Sequence, residues 1–537
     1  MGNTFKAEQN SIHLIVEYVS DALSKSDINK NLAYEYQLLV EEIVIKLVAN
    51  ASQGAEIYVN VYKKLGSMGI KINCPGKAIA LHQEDEFDFG GKIIEEFGDY
   101  LKQDYSAGVN HIIFSSSTTE SNSFILNSGI AVIASIIIGV TINFICDAEK
   151  VLWINTNLIS PIVDIFTKCL QTVATPVAFF SLAAFIVTLK LTIENNRKLI
   201  FIAIRYASTS IIALAIGTVI WKIYSCLGIY FDLNLSRSKT DDFFGDTIGE
   251  FLNQSVLGNL IDPFLNSNPI PMLVMGVLLG IAAGNLFGVY GNSARNGILT
   301  FNGLFCKMMD LIYNAIPFFL FFALLRGWLT SGIDHGISLL VTLATFIPGF
   351  ILLMVLYFVE LLVNGISPIK FLKDYKEVLI ENLKIGSNIQ AMPYNKRMIS
   401  RITKMPRDVL DKGLQLGAMM NMDGNCIVVS MGIIGMIYSL NIELSIIQIA
   451  LMALIILLLS VGAPNQPGSF LLGIAVLMSF VGISSTFSGD FLIIEAIFGK
   501  VYSCMNATGD IVMMVIEDKR IKDAEAKANK AKKIEEL

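Results

Sequence analysis

Charge is scarce in this chain, and its scarcity excludes several classes of protein. Only 16% of the 537 residues are charged, and 40 Lys and Arg against 46 Asp and Glu give a net charge of -6. Neither sign is concentrated enough to indicate a nucleic-acid partner. With 53% hydrophobic residues and a mean hydropathy of +0.59, the composition is typical of a polytopic membrane protein.

Paired cysteines, a P-loop and a signal peptide are also missing. The seven cysteines are scattered without CxxC spacing, which favours reduced packing residues over disulfides or a zinc site. The absence of a P-loop motif disfavours an ATP-driven pump. The first residues, MGNTFKAEQNSIHLIV, lack a continuous apolar core, so we expect the head of the chain to stay in the cytoplasm. Lys6 stands where a myristoylation motif has Ser or Thr.

The most informative stretch is Leu414 to Tyr438, which places Asn421, Asp423 and Asn425 in an apolar segment. A carboxylate at membrane depth costs roughly 2.5 to 3.5 kcal/mol and is usually retained for an ion, a proton or a substrate. The neighbouring glycine allows the helix to break, and exposed carbonyls together with Asn and Asp oxygens suit a hard cation. The alternative is a plain helix kink with a satisfied polar pair.

The first 118 residues predict a small soluble α/β domain. Helical periodicity covers residues 36–50, and alternating strand patterns cover 56–62 and 69–74. Gly90 and Gly91 open a second predicted helix over residues 93–103, and residues 108–116 predict a closing strand.

The order of VEEIVIKLVANA, NCPG and GGKIIEEF resembles the ATP-binding domain of the histidine-kinase and anti-sigma-factor superfamily. That superfamily has a magnesium-binding Asn four residues after a Glu, but here Lys46 follows Glu42, and Asn73 stands at the adenine-reading Asp. The alternatives are a degenerate sensor or docking domain that does not hydrolyse ATP, an unrelated α/β domain, and an active ATPase. We expect no organic cofactor, ATP included.

From Phe124 onward the chain predicts membrane spans. Six apolar segments are long enough to cross a hydrocarbon core of about 30 Å: 124–146, 158–189, 199–225, 270–290, 298–326 and 336–364. Basic residues follow the second, fourth and sixth segments, whereas acidic residues occupy the opposite loops. By the positive-inside rule, the N-terminal domain and the loop after the sixth span are cytoplasmic.

The C-terminal third predicts interrupted segments as well as simple spans. Residues 378–402 and 449–483 each contain two short apolar arms around a polar tip, a pattern that indicates re-entrant hairpins at a transporter's site. A last span is expected over 488–517, with one helical stripe formed by Glu495, Gly499, Tyr502, Asn506 and Asp510. The mixed-charge tail, residues 518–537, predicts a solvated helix or disorder.

The motifs YASTS (206–210), NMDG (421–424) and NATGD (506–510) occur in this order with both hairpins. Residues 119–517 therefore resemble the dicarboxylate/amino acid:cation symporter family, the glutamate-transporter homologues. The resemblance implies eight transmembrane spans plus two re-entrant hairpins. It also implies a homotrimer in which the third, sixth, seventh and eighth spans move together with the hairpins.

The resemblance also implies three sodium sites. The residues that correspond to the family's first site are Tyr206, Thr209, Ser210, Asn421 and Asp423. Those of the second are Gly417, Asn421, Asn506 and Asp510. Those of the third are Met419, Ser460, Val461 and Ala463. Carbonyl and carboxylate oxygens are the hard ligands that an alkali cation needs.

The substrate half departs from the family pattern. Tyr502 replaces the Arg of carriers for acidic substrates, and Gly499 replaces the Asp of amino-acid carriers. Because Arg is the bidentate partner of a carboxylate, dicarboxylates and acidic amino acids are disfavoured. The remaining substrate-binding candidates are Ser387, Asn388, Asn425, Gly462, Glu495, Ser503 and Asn506. Glu495 either recognises a cationic group or is held by hydrogen bonds behind the site.

The sequence therefore predicts a sodium-coupled secondary active symporter of a small organic solute, an amino acid or a related compound, with elevator-type alternating access, and not an enzyme. We expect a multi-pass protein of the cell membrane, in contact with lipid, with both termini in the cytoplasm. The rival interpretation is a receptor that binds a solute without moving it and uses the N-terminal domain to relay occupancy.

Overall fold

The computed structural model describes most of the chain. The described ranges are 2–25, 30–52, 54–64, 67–79, 101–106, 108–116, 120–193, 196–229, 269–403, 405–440, 445–462, 468–480 and 489–535, with a few isolated residues between them. The chain divides into two compact units, Met1–Ser123 and Phe124–Leu537. Each has its own packing and is described by itself.

The N-terminal unit is a five-stranded antiparallel sheet with two helices. Its elements are β1 (Gly2–Lys6), α1 (Gln9–Ser24), α2 (Lys30–Asn50), β2 (Glu56–Lys64), β3 (Ser67–Pro75), β4 (Leu101–Ser106) and β5 (Val109–Ser116). The strand order is β1-β2-β3-β5-β4. Alternating apolar residues of the strands, such as Ile57 and Val59, pack with Ile15 of α1 and Ile43 of α2 in one core. The predicted small N-terminal domain is present, with strands over all three predicted strand segments.

One predicted helix of this unit is wrong at its C-terminal end. Residues 101–103 were expected to be helical, but they begin β4, which pairs with β5 through Leu101 opposite Phe114 and Gln103 opposite Ile112. Leu101 packs against the domain core from this strand, so tertiary pairing outweighs local helical periodicity. Gly90, Gly91 and residues 93–100 lie outside the described residues.

The second unit begins within the first of a series of apolar helices, all of them long except one helix of seven residues. They are α3 (Glu120–Ile145), α4 (Ala148–Ile154), α5 (Ser160–Ile193), α6 (Arg197–Cys226), α7 (Pro269–Asn285), α8 (Gly288–Asn314), α9 (Ile316–Ser331) and α10 (Ile333–Val363). A π-helical turn, Asn155–Ile159, joins α4 to α5. Within the described residues, five helical stretches are long and apolar enough to cross a membrane, or six if the bent pair α8 and α9 is one span. A polytopic membrane protein is therefore confirmed, and the count of eight spans stays a prediction.

The predicted fifth span, 298–326, is broken. The chain bends by 52° between α8 and α9, and Pro317 stands in the first turn of α9. Proline has no N–H for the preceding turn and is tolerated at a helix start, which explains a new helix here. The predicted fourth span, 270–290, is also shorter, because α7 ends at Asn285.

The remaining helices form two pairs, a broken helix and one long helix. They are α11 (Pro368–Ile385), α12 (Asn388–Ile402), α13 (Arg407–Met420), α14 (Asp423–Ser439), α15 (Ile446–Gly462), α16 (Ser469–Phe480) and α17 (Gly489–Glu535). Gly386, with φ 70°, ends α11, and the Ser387 side chain caps α12. The tip between α15 and α16, residues 463–467, lies outside the described residues. Helix α17 continues through the charged tail to Glu535.

A polar cluster at the break between two buried helices

The break between α13 and α14 is a two-residue interruption in a fully buried segment. Asn421 (φ -82°, ψ 82°) and Met422 (φ -108°, ψ 33°) leave the helical conformation. Asn421 and Asp423 are 0% exposed, although both are strongly polar. Because helix ends leave backbone groups without helical partners, the break adds carbonyl oxygens to a region that already contains amide and carboxylate oxygens.

Asp423 is held by two hydroxyl groups from other helices. Ser210 Oγ of α6 donates to Asp423 Oδ1 at 2.7 Å, and Tyr357 OH of α10 donates to Asp423 Oδ2 at 3.0 Å. Tyr206 and Thr209 line a small cavity beside Asp423 together with Asn421. The structure therefore brings together all five residues predicted for the first sodium site.

This cavity has a volume of about 10 Å³, which is room for about one water-sized occupant. Its lining comes from α6, α10, the break, the first residue of α14, and α17. It comprises Arg205, Tyr206, Thr209, Tyr357, Glu360, Asn421, Asp423, Gly509 and Met513. Asn421 Oδ1 has no hydrogen-bond partner among the described residues. The cavity thus combines a carboxylate with an amide oxygen that is available as an acceptor.

The residues predicted for the second sodium site also meet. Asn421 Nδ2 donates to Asp510 Oδ1 at 2.9 Å and to the Asn506 carbonyl oxygen at 2.7 Å. The backbone N–H of Gly424 donates to Asn506 Oδ1 at 2.8 Å. A Cβ at Gly417 would lie only 2.3 Å from Asp510 Oδ1, so the backbone of α13 approaches this carboxylate closely.

The third predicted sodium set is only partly described. Ser460 is buried at the C-terminal end of α15 and Met419 lies on α13. Val461 belongs to the last turn of α15, whereas Ala463 lies outside the described residues. This set stays a prediction.

A second polar cluster joins α17 to the start of α16. Glu495 is 0% exposed, and its Oε1 accepts from the Gly468 N–H at 2.9 Å and from Tyr502 OH at 3.0 Å. Ser469 Oγ lies 3.1 Å from Tyr502 OH and 3.3 Å from Asn425 Oδ1. Among the described residues, Glu495 Oε2 has no hydrogen-bond partner. Three predicted substrate residues, Asn425, Glu495 and Tyr502, are therefore in one network.

The other predicted substrate residues lie around these two clusters. A Cβ at Gly499 would be 2.8 Å from Glu495 Oε1, so Gly499 borders the second cluster. Asn388 lies beside the Asp510 carboxylate, and Ser387 is buried one residue earlier. Ser503 is buried on α17. Gly462 ends α15, next to the undescribed tip.

Sequence reasoning missed several residues of these clusters. Tyr357 OH lies between two acceptors, 3.0 Å from Asp423 Oδ2 and 3.1 Å from the Met505 carbonyl oxygen, and Ser469 completes the second network. Arg205 and Glu360 line the cavity and form an ion pair at 3.3 Å. Tyr357 and Glu360 could have been found from the sequence, because two polar side chains three residues apart in the sixth apolar segment share one helical face.

The oxygen-rich break, the interrupted helix pairs and the apolar helices together define a membrane transporter. Residues 127–520 match the sodium:dicarboxylate symporter family, and the chain belongs to that family. The predicted family and the expectation that the chain is not an enzyme are thereby confirmed. The N-terminal unit lies outside the matched residues, so its resemblance to the ATP-binding superfamily stays a prediction.

Two similar proteins are both C4-dicarboxylate transport proteins. A C4-dicarboxylate transport protein of Serratia proteamaculans (strain 568) is 25% identical over 382 residues, which cover 68% of this chain and 87% of the relative. A C4-dicarboxylate transport protein of Yersinia enterocolitica serotype O:8 / biotype 1B (strain NCTC 13174 / 8081) is 25% identical over 335 residues, which cover 60% of this chain and 76% of the relative.

Proposed function

We propose that this chain is a sodium-coupled symporter of a small organic solute that works by elevator-type alternating access. The observation that carries the proposal is the pair of buried carboxylates, Asp423 and Asp510, at a helix break surrounded by oxygen donors. The groups that donate hydrogen bonds to these two carboxylates are the hydroxyls of Ser210 and Tyr357 and the amide of Asn421. A buried carboxylate without a paired cation is costly, and a bound sodium ion would remove that cost.

The hydrogen bonds around Asn421 indicate how ion and solute binding would be coupled. Asn421 lines the cavity beside Asp423 and also binds Asp510 of α17. The same helix carries Glu495 and Tyr502, which contact the start of α16. A cation that orders the break would therefore also order the second cluster. By linkage, the ion and the solute then raise each other's affinity by the same factor.

The solute is the point at which this chain departs from its named relatives. Those relatives transport C4-dicarboxylates by name, and a C4-dicarboxylate is the first candidate to test. In this chain, however, Tyr502 replaces the Arg of such carriers, and the buried Glu495 adds a carboxylate in contact with it. A dianion beside Glu495 would be repelled. We propose a solute that is neutral or cationic at this position.

The assembly and orientation follow from the resemblance and from the charges of the loops. We propose a homotrimer in the cell membrane, in contact with lipid, with both termini in the cytoplasm. Membership of a symporter family favours transport over the receptor interpretation.

Uptake into liposomes tests this proposal. The purified full chain is reconstituted, and radiolabelled succinate, aspartate and a panel of neutral and cationic amino acids are offered with an inward sodium gradient or with choline. We expect accumulation of a non-acidic solute that stops when an ionophore collapses the sodium gradient. Uptake that is equal in sodium and choline would refute sodium coupling, and solute binding without accumulation would favour the receptor.

A further inference from the structure

A charged pair borders the cavity beside Asp423, and the predicted ion site does not include it. Arg205 Nη2 and Glu360 Oε1 are 3.3 Å apart, with side chains only 17% and 19% exposed. Arg205 directly precedes Tyr206 on α6, and Glu360 lies three residues after Tyr357 on α10. Arg205 and Glu360 thus line the cavity with Asp423, each close in sequence to a tyrosine that also lines it.

The charges around the cavity depend on this pair. Among the residues that line the cavity, the ionisable carboxylates and guanidinium are Asp423, Glu360 and Arg205, which together carry one net negative charge. That charge suits one monovalent cation. Asp510, which accepts from Asn421, is not among the lining residues. Without Glu360 the lining would be neutral before a cation entered, and the unpaired charge of Arg205 would oppose a cation. Without Arg205 the cavity would carry two negative charges.

Glu360 is the acid in contact with Arg205. Glu517 of α17 also acts electrostatically on this region, but it pairs with Arg520 at 3.5 Å, and Arg520 lies over the Phe201 ring at 3.7 Å. The pair stands near the basic start of α6 and the end of α10, which sequence charges place toward the cytoplasm. A cation moving between the cavity and that side would pass close to both side chains.

We infer that Glu360 is a positioning residue that sets the cation affinity of this cavity by neutralising Arg205. The inference rests on the proposed sodium coupling and extends it to two residues outside the predicted ion sites. It predicts opposite effects for the two substitutions. Loss of the Glu360 carboxylate weakens cation binding, and loss of the Arg205 guanidinium strengthens it.

The test measures sodium affinity in the full-length detergent-purified protein. Melting temperature is recorded against sodium concentration, with choline keeping ionic strength constant, because a cation that binds the folded state stabilises it. Because the stabilisation rises with the logarithm of sodium concentration above the dissociation constant, fitting this rise gives an apparent sodium dissociation constant. Glu360→Gln should raise that constant by about three- to tenfold, and Arg205→Gln should lower it by a similar factor. The double variant should return to within about twofold of wild type, since it removes one positive and one negative charge and so restores the net charge of the lining.

Two further variants separate charge from structure. Asp411→Asn breaks the Lys396–Asp411 pair, which has a distance of 3.0 Å and similar partial exposure, and it should leave sodium dependence unchanged. Glu360→Asp keeps the charge and should stay near wild type even if Glu360→Gln folds poorly.

The possible failures are distinguishable. If sodium stabilises the wild type but Glu360→Gln and Arg205→Gln behave like Asp411→Asn, or both shift the apparent sodium dissociation constant in the same direction, the inference about Glu360 is wrong and sodium coupling stands. If sodium fails to stabilise the wild type at all, the sodium assignment and this inference are both wrong.

Discussion

At the residue scale, the side chain of Asn421 makes contacts in both predicted ion sites. Its Nδ2 donates to Asp510 Oδ1 and to the Asn506 carbonyl oxygen, while the side chain borders the cavity beside Asp423. With both donors of the amide committed to α17, its oxygen remains an acceptor. One residue therefore connects both predicted ion sites and couples the helix break to α17.

The first prediction at this scale concerns the two buried carboxylates. Sodium should raise the melting temperature of the wild type, with a stabilisation of about 2.7 kcal/mol at 100 times the dissociation constant. Asp423→Asn and Asp510→Asn should each remove most of that rise, because the amide keeps the shape of the side chain but not its charge. Differential scanning fluorimetry in sodium and in choline measures the effect. Sodium-dependent stabilisation that survives in both variants would exclude these carboxylates as ion ligands.

A second prediction compares two glycines one turn apart on α13. A Cβ at Gly417 would meet Asp510 Oδ1 at 2.3 Å and Tyr206 OH at 2.8 Å, whereas a Cβ at Gly413 would meet the flexible end of Met514 at 2.7 Å. Gly417→Ala should therefore cost about 1 to 3 kcal/mol and weaken sodium binding, and Gly413→Ala should cost less and leave sodium binding intact. Sodium titrations of melting temperature test this, and equal behaviour of the two variants would contradict it.

At the scale of elements, α17 connects the two polar clusters. Asp510 and Asn506 contact the break between α13 and α14, and Glu495 and Tyr502, about one to four turns earlier, contact Gly468 and Ser469 at the start of α16. These residues lie along one face of the helix, as the sequence stripe predicts. One helix therefore carries residues of both the proposed ion site and the proposed solute site.

The prediction at this scale concerns specificity. Aspartate, glutamate and succinate should bind weakly to the wild type, because a buried site without a cationic partner leaves their carboxylates unpaired. Tyr502→Arg with Gly499→Asp should begin to restore acidic amino-acid binding. Since Glu495 contacts Tyr502 and borders Gly499, adding Glu495→Gln should restore it further. Calorimetry in saturating sodium measures aspartate binding to the wild type, the double variant and the triple variant. Tight aspartate binding to the wild type would show that the substrate assignment is mistaken.

At the scale of the whole molecule, two units with different chemistry share one chain. The membrane unit has its polar residues at helix breaks inside apolar packing. The N-terminal unit has an apolar core formed by its sheet and two helices. Burial in this core raises the pKa of the Cys74 thiol to about 11. Asn73, at the position where the resembled superfamily has its adenine-reading Asp, lies 3.0 Å from His111 Nδ1 on β5. That contact gives Asn73 a partner within the sheet.

The prediction for this unit is the absence of ATP turnover. The purified full chain with magnesium and ATP should release phosphate no faster than a Glu42→Ala variant, because Lys46 stands at the position where the resembled superfamily has its magnesium-binding Asn. A coupled phosphate assay measures this directly. Steady phosphate release that disappears in Glu42→Ala would show an active ATPase, whereas nucleotide binding without turnover agrees with a degenerate domain.

The sequence by itself determined the class of protein, the family and most of the polar residues at the break. Hydrophobicity over span-length segments reflects the cost of placing backbone and charge in lipid, which is a local property of the chain. Asp423, Asp510 and their Asn neighbours stand out for the same reason, because carboxylates are rare in apolar segments. The N-terminal strands were predictable from alternation, which depends only on nearest neighbours.

Only the tertiary structure decided which groups meet. Tyr357 reaches Asp423 from a helix 66 residues earlier in the chain, and Arg205 meets Glu360 across 155 positions. Leu101 is a strand residue because β5 pairs with it, although its local pattern is helical. In each case the deciding energy comes from a partner distant in sequence, and periodicity within a single segment carries no information about that partner.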